Sequence, residues 1–114
     1  MKNICVVHTK IKQEIKAEFN LKNQGFKTWL PMIKRVRGSL SSPRLSYEPL
    51  FPTYLFVYID LMKENWFKIN NTYGVKYLIT FDGKPSLMNN RVLEEIKSSI
   101  DESQMKYKLS IGNK

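Results

Sequence analysis

Glu48-Pro49-Leu50-Phe51-Pro52-Thr53-Tyr54-Leu55-Phe56-Val57-Tyr58-Ile59-Asp60 is the most apolar run in the chain and lies near its middle. After Pro52 the residues are aromatic, branched or aliphatic, the types that suit a pleated and packed strand. Proline cannot donate to a ladder, so the strand proper begins beyond Pro52. Side chains alternate across a strand. If Leu55 and Val57 enter the core, then Tyr54, Phe56 and Tyr58 point to the opposite face. That face needs an occupant of its own, either a covering helix or a partner.

The chain around this strand has 114 residues, enough for one domain with a modest core. A hydrophobic content of 42% argues for a globular fold. Cys5 is the one cysteine, so no internal disulfide can form, and a reducing cytoplasm is expected. No apolar run approaches the roughly 18 residues of a membrane span, and the apolar stretch after Met1 is too short for a signal peptide. The charge of +9, from 19 basic and 10 acidic residues, points to an acidic partner such as nucleic acid.

Upstream, Ile4 to Thr9 reads as a first strand and Gln13 to Asn23 as a helix closed by Gly25. Ala17 and Leu21 form one apolar stripe of that helix, with Ile11, Ile15 and Phe19 assigned to a neighbouring one. Lys12, Gln13, Lys16, Asn20, Asn23 and Gln24 form an arc of amides and cations without an acid. Phe26 to Ile33 reads as a second strand, interrupted by Pro31. Lys34 to Ser46 carries Lys34, Arg35, Arg37 and Arg44 and reads as a basic hairpin or loop projecting from the body, with no alternation that fixes a register. Downstream, Met62 to Asn70 reads as a short helix with Met62, Trp66 and Ile69 on one face. Val75 to Phe81 is a strand, Asp82-Gly83 a tight turn, and Arg91 to about Asp101 a last helix capped by Asn90. The order β-α-β-β-α-β-α implies an α+β fold, an antiparallel sheet with flanking helices.

No catalytic constellation is visible. The one histidine, His8, is three positions from Cys5 on a strand, hence on the other face. There is no zinc cluster, Walker loop or dinucleotide fingerprint, so neither metal nor cofactor is expected. A free-standing basic RNA-binding module or a small ribonuclease acting through Lys, Arg and Tyr remains the alternative class.

The run E-P-L-F-P-T-Y-L-F-V-x-x-D, with Val6-Val7-His8-Thr9-Lys10, Gln13-Glu14, Gln24-Gly25-Phe26, Pro31-Met32, Val36-Arg37-Gly38 and Gly74-Val75 in order around it, resembles the N-terminal (NGN) domain of the NusG family of transcription factors. Within that family it is most similar to the RfaH-type antitermination paralogue. The resemblance implies an NGN domain at 1–101. It also implies a linker at 102–114 leading toward a KOW-type β-barrel that this sequence does not contain, so a domain fragment is expected.

The function it implies is not enzymatic. A cytoplasmic monomer would bind the clamp helices of bacterial RNA polymerase, contact the non-template DNA strand in the transcription bubble, and suppress pausing and termination. By resemblance, His8, Tyr54, Phe56 and Phe81 match the polymerase-binding pocket. Lys10, Lys16, Asn20, Asn23, Gln24, Thr72 and Tyr73 fall at DNA-contacting positions, with Asn20, Asn23 and Tyr73 departing from the family's residue types. The Arg35, Arg37 and Arg44 loop has two readings, contact with upstream duplex DNA or incidental surface charge. Asn65-Trp66-Phe67 replaces the His-Thr-Thr patch of the gate-loop contact, so Trp66 and Phe67 read as core or as a changed contact.

Overall fold

The computed structural model describes residues 3–98. The proposed linker at 102–114, with the three residues before it, lies outside them. Among the described residues, nine strands and three helical segments follow in the order β1 (Asn3–Thr9), α1 (Glu14–Asn23), β2 (Lys27–Trp29), β3 (Met32–Gly38), β4 (Pro43–Pro49), β5 (Tyr54–Ile59), α2 (Phe67–Asn70), β6 (Val75–Leu78), β7 (Thr80–Phe81), β8 (Lys84–Pro85), β9 (Leu87–Met88) and α3, described over 90–98.

The central sheet runs β2-β5-β1-β6, with β9 also paired to β1, and every pairing is antiparallel. β1 and β5 pair from Asn3↔Ile59 to His8↔Tyr54. This register sorts the side chains into two cores. Cys5, Val7, Leu55 and Val57 join Ala17 and Leu21 of α1 and Ile69 of α2 on one face. Ile4 and Phe56 join Leu93 of α3 on the other, flanked by Val6, Trp29, Tyr58, Met88 and Ile96. The sheet is therefore a middle layer between α1/α2 and α3.

The α+β reading, the central strand and its inward residues agree with this architecture. Six local expectations change. The strand expected over Phe26 to Ile33 divides at Leu30-Pro31 into β2 and the start of β3, and the last helix is capped by Asn89, whose Oδ1 accepts the Arg91 N–H, while Asn90 already lies in the helix. Ile11, Ile15 and Phe19 are exposed, not part of the packed arc of the first helix, and Phe19 is 63% exposed. A residue two positions on lies roughly 200° round a helix, so Ile15 and Phe19 turn away as Ala17 and Leu21 turn in. The buried stripe begins instead at Glu14.

The second helix shortens to Phe67–Asn70, and Met62 is exposed. Side-chain bonds take over the preceding turns. Asp60 Oδ1 accepts the Met62 N–H, Glu64 Oε2 accepts the Asp60 N–H, and Asn65 Oδ1 accepts the Phe67 N–H. Such local bonds compete with helix formation.

The strand expected over Val75 to Phe81 breaks at Ile79, whose N–H bonds to Val6 and whose carbonyl accepts from Ser86. Beyond it, Asp82 and Gly83 both have positive φ, as a tight β7–β8 turn requires.

The basic segment is a registered two-stranded ribbon, β3 against β4, paired residue by residue from Met32↔Pro49 to Gly38↔Pro43. Its register comes from its end and its cross-strand pairs. Gly38 has φ +87, and a Cβ there would lie 2.7 Å from the Ser42 carbonyl. Ser39 Oγ accepts the Ser42 N–H and closes the tip. Val36 faces Leu45, and the Lys34 ammonium lies over the Tyr47 ring. One carboxylate, Glu48, holds both Arg35 and Arg37.

Candidate functional site

Two surfaces meet at the β1–α1 corner of the domain. The first is aromatic. His8 of β1 stacks on Tyr54 of β5, with centroids 4.9 Å apart, and meets the edge of Tyr77 on β6 at 5.2 Å. Tyr54 is 37% exposed and Tyr77 46%. His8 Nδ1–H donates to the Thr53 carbonyl at 3.0 Å. That carbonyl also accepts the Thr9 N–H, while the Thr53 N–H donates to Glu14 Oε2 at 2.8 Å. Thr53 has φ +70, and these bonds hold the chain in that conformation as it enters β5. Glu14 thereby places the Phe51-to-Tyr54 corner from the first turn of α1.

The aromatic face differs from the expected open row. Phe56 shares a side with Tyr54 but is only 3% exposed, stacked on Trp29 and packed with Leu93. The helix that follows β9 crosses this half of the sheet and covers Phe56, so Phe56 is floor rather than contact surface. Phe81 stands on the short β7–β8 hairpin and is 80% exposed. Beside the covered half, Leu50, Phe51, Val92, Glu95 and Ile96 line an open groove of about 330 Å3. Phe51 meets Phe56 edge-on at 6.3 Å and joins the groove to the aromatic layer. Phe51, Tyr77 and the groove residues escape a reading of the sequence. Phe51 lay in plain view in the central run, whereas Tyr77 needed the β1–β6 register, His8↔Tyr77.

The second surface is polar and cationic. Lys16 and Asn20 of α1 and Gln24, its C-cap, follow at intervals of four residues and face the α2–β6 turn. The Lys16 ammonium is 6.0 Å from the Tyr73 ring centroid, Asn20 Nδ2 donates to the Tyr73 carbonyl, and Gln24 Nε2 donates to Thr72 Oγ1 at 2.6 Å. The Lys10 N–H donates to the Gly74 carbonyl, which draws Lys10 to the same turn. Gly74 makes this approach possible: its φ is +91, and a Cβ there would lie 2.9 Å from the Ala17 nitrogen. Tyr73 is left well exposed.

Six of the seven expected nucleic-acid residues therefore cluster. Asn23 is exposed on the same helix, and its side chain is not among those that bond to the α2–β6 turn. Thr72 is buried, and its hydroxyl donates to the Lys68 carbonyl while accepting from Gln24, so its bonding is spent within the fold. Trp66 and Phe67 stack at 3.9 Å. Trp66 packs against the core, but Phe67 is 60% exposed, which corrects a core reading for it.

Among the described residues, no group of three His, Cys, Asp or Glu side chains could hold a metal ion, and no helix is long and apolar enough to cross a membrane. Burial pushes the Cys5 thiol up to about 11.

The family model described as transcription termination factor NusG matches residues 3–97. The chain belongs to the NusG family. That family is one of transcription factors rather than enzymes. A solved NusG structure from Thermotoga maritima, described as showing a domain interaction, aligns with a TM-score of 0.53 at 23% identity over 80% of this chain. The similarity is one of fold, and it places the sheet and helices in the NusG N-terminal arrangement. The present chain spans about half of that protein, 52%.

Proposed function

We propose that this NusG-family domain is an RfaH-like elongation and antitermination module that docks on the clamp helices of RNA polymerase and holds the non-template strand. The observation that carries the reading is the adjacency of the two surfaces. The aromatic cluster His8–Tyr54–Tyr77 and the Lys16–Asn20–Gln24–Tyr73 face are joined through Glu14, Thr53, Lys10 and Gly74. One bound domain could thus touch protein on one side and an exposed strand on the other.

The aromatic side suits a partner helix. His8, Tyr54 and Tyr77, with the Phe51 groove on the same side of the sheet and Phe81 exposed on the β7–β8 hairpin, offer ring faces and edges, the residue types that anchor helix-in-groove contacts. Phe56 supports them from beneath. On the polar side, Lys10 and Lys16 take phosphates, Asn20, Asn23 and Gln24 offer amides to base edges, and Tyr73 gives an unstacked base a ring to lie on. Thr72 positions Gln24. The arginines of the β3–β4 ribbon lie at a third place, suited to upstream duplex DNA. The domain performs no chemistry; it acts as a monomer that stabilises one state of the elongating polymerase.

A pull-down with core RNA polymerase and with the isolated clamp-helix fragment tests this reading. Wild type is retained by both. A folded Tyr54→Ala/Tyr77→Ala variant loses both while keeping its affinity for single-stranded DNA. Retention of that variant by the clamp fragment would end the clamp assignment.

A further inference from the structure

We propose that the Arg35–Arg37–Arg44 face of the β3–β4 ribbon is a DNA-phosphate site whose resident occupant is the protein's own Glu48. The inference rests on the ribbon reading above and goes beyond it by naming what gates the site. Alternation along β3 and β4 puts Ile33, Arg35 and Arg37 on one side with Glu48, Ser46 and Arg44. Arg37 lies directly across from Arg44. Glu48 Oε2 takes the Arg35 Nε at 2.8 Å, Glu48 Oε1 takes the Arg37 Nε at 3.0 Å, and the terminal nitrogen of Arg37 also reaches Oε1. One carboxylate thus offers one oxygen to each of two guanidiniums.

A backbone phosphate presents its two non-bridging oxygens in much the same way, and the guanidinium fork fits either anion. The Arg37 hydrogen bond lowers the Glu48 carboxyl from its ordinary value. The pairs are open to water, with half or more of each arginine side chain and 29% of Glu48 exposed. Exposed ion pairs of this kind are weak and salt-screened, so a phosphate can displace the carboxylate. In the resting ribbon Glu48 offsets one of the three guanidinium charges on this face and occupies donors of both Arg35 and Arg37. Once a duplex is brought alongside, the phosphate backbone takes over the two arginines that Glu48 releases. The polymerase would supply that proximity, which makes the ribbon a weak DNA binder on its own and a stronger one on the transcription complex.

Fluorescence anisotropy with a labelled duplex, repeated across a salt series, tests this directly. Glu48→Gln keeps the shape and removes the resident charge. Its expected result is a ~5- to 10-fold gain in duplex affinity at low salt, with the log–log salt slope steeper by about 0.9 to 1.8, the increment for one or two added phosphate contacts. Arg35→Ala/Arg37→Ala has little effect alone but removes the gain in the Glu48→Gln background. Should the neutral ribbon loosen, seen as a lowered melting temperature, Glu48→Asp serves instead. Its shorter carboxylate cannot span both guanidiniums, so it shows a smaller gain of the same sign. An unchanged affinity and slope in Glu48→Gln, with Arg44→Ala still weakening binding, overturns the gating role and leaves the ribbon a DNA contact. No effect from Arg44→Ala, together with no effect of the arginine pair in the Glu48→Gln background, overturns the DNA site as well. An equal gain on a single-stranded oligonucleotide overturns the duplex assignment.

Discussion

Tyr54 and Phe56 stand two residues apart on one strand and face the same side of one sheet, yet they belong to different regions. Around Phe56 the face is closed. Trp29, Leu93 and Ile96 pack over it, and the ring is core. Around Tyr54 the face is open, and His8, Tyr54 and Tyr77 lean on one another with water on their outer side. The aromatic row is the same; the difference is the reach of α3, which crosses one half of the sheet. An aromatic face is thus not in itself a docking surface. It becomes one where the chain's own elements stop.

Perturbing each half should break the domain in different ways. The largest effect is expected at the closed half. Phe56→Ala should cost about 3–5 kcal/mol of stability, the usual range for a buried phenylalanine. Urea unfolding followed by circular dichroism reads it. A loss well below this range would show that Phe56 is accessible and that the two halves are one surface after all.

Leu93→Ala removes the cover from above and should cost about 2–5 kcal/mol. A fully cooperative transition with a lower midpoint is expected, because α3 contributes to the same core as the sheet.

The next effect belongs to the joint between the regions. Glu14→Gln weakens the bond to the Thr53 N–H and should cost about 1–2 kcal/mol, since hydrogen bonds to charged groups are worth more than neutral ones. It should also loosen the Phe51-to-Tyr54 corner, visible as faster amide exchange at Thr53 and Tyr54 with α3 unaffected.

Tyr54→Ala should be the mildest for stability, under about 1 kcal/mol for a partly exposed ring, and the most severe for retention by the polymerase clamp fragment. If stability and retention fell together, the open half would be structural.

Cys5 offers a control free of any partner. It is fully buried on the α1/α2 side, and its thiol is pushed up to about 11 by burial. The thiolate is the reactive form, so the native protein should resist alkylation at pH 8 and react readily once unfolded in urea. Protection lost in Phe56→Ala would report how far the disruption crosses the sheet.

Much of this was legible in the sequence because the relevant forces are local. The run from Tyr54 to Ile59 alternates its faces by strand geometry alone, and Leu55 and Val57 could be assigned to the core at sight. Asp82-Gly83 announced its turn by residue chemistry. Asn20 and Gln24 could be grouped with Lys16 because a helix repeats every 3.6 residues. The pattern from Glu48 to Asp60, with its neighbours in order, already indicated the family that the match over 3–97 shows.

Other features were decided only by the tertiary structure. Glu14 looks like an ordinary surface acid, and its burial follows from a Thr53 backbone 39 residues away. Phe19 looks like a core residue and is exposed, because only the stripe from Glu14 through Ala17 to Leu21 meets the sheet. Glu48 sits in the most telling stretch of the chain, but its grip on Arg35 and Arg37 needs the ribbon's register before it exists. The sequence by itself determined which residues could share a face. The tertiary structure decided which faces are covered, because coverage depends on where distant segments end and no local periodicity encodes that distance.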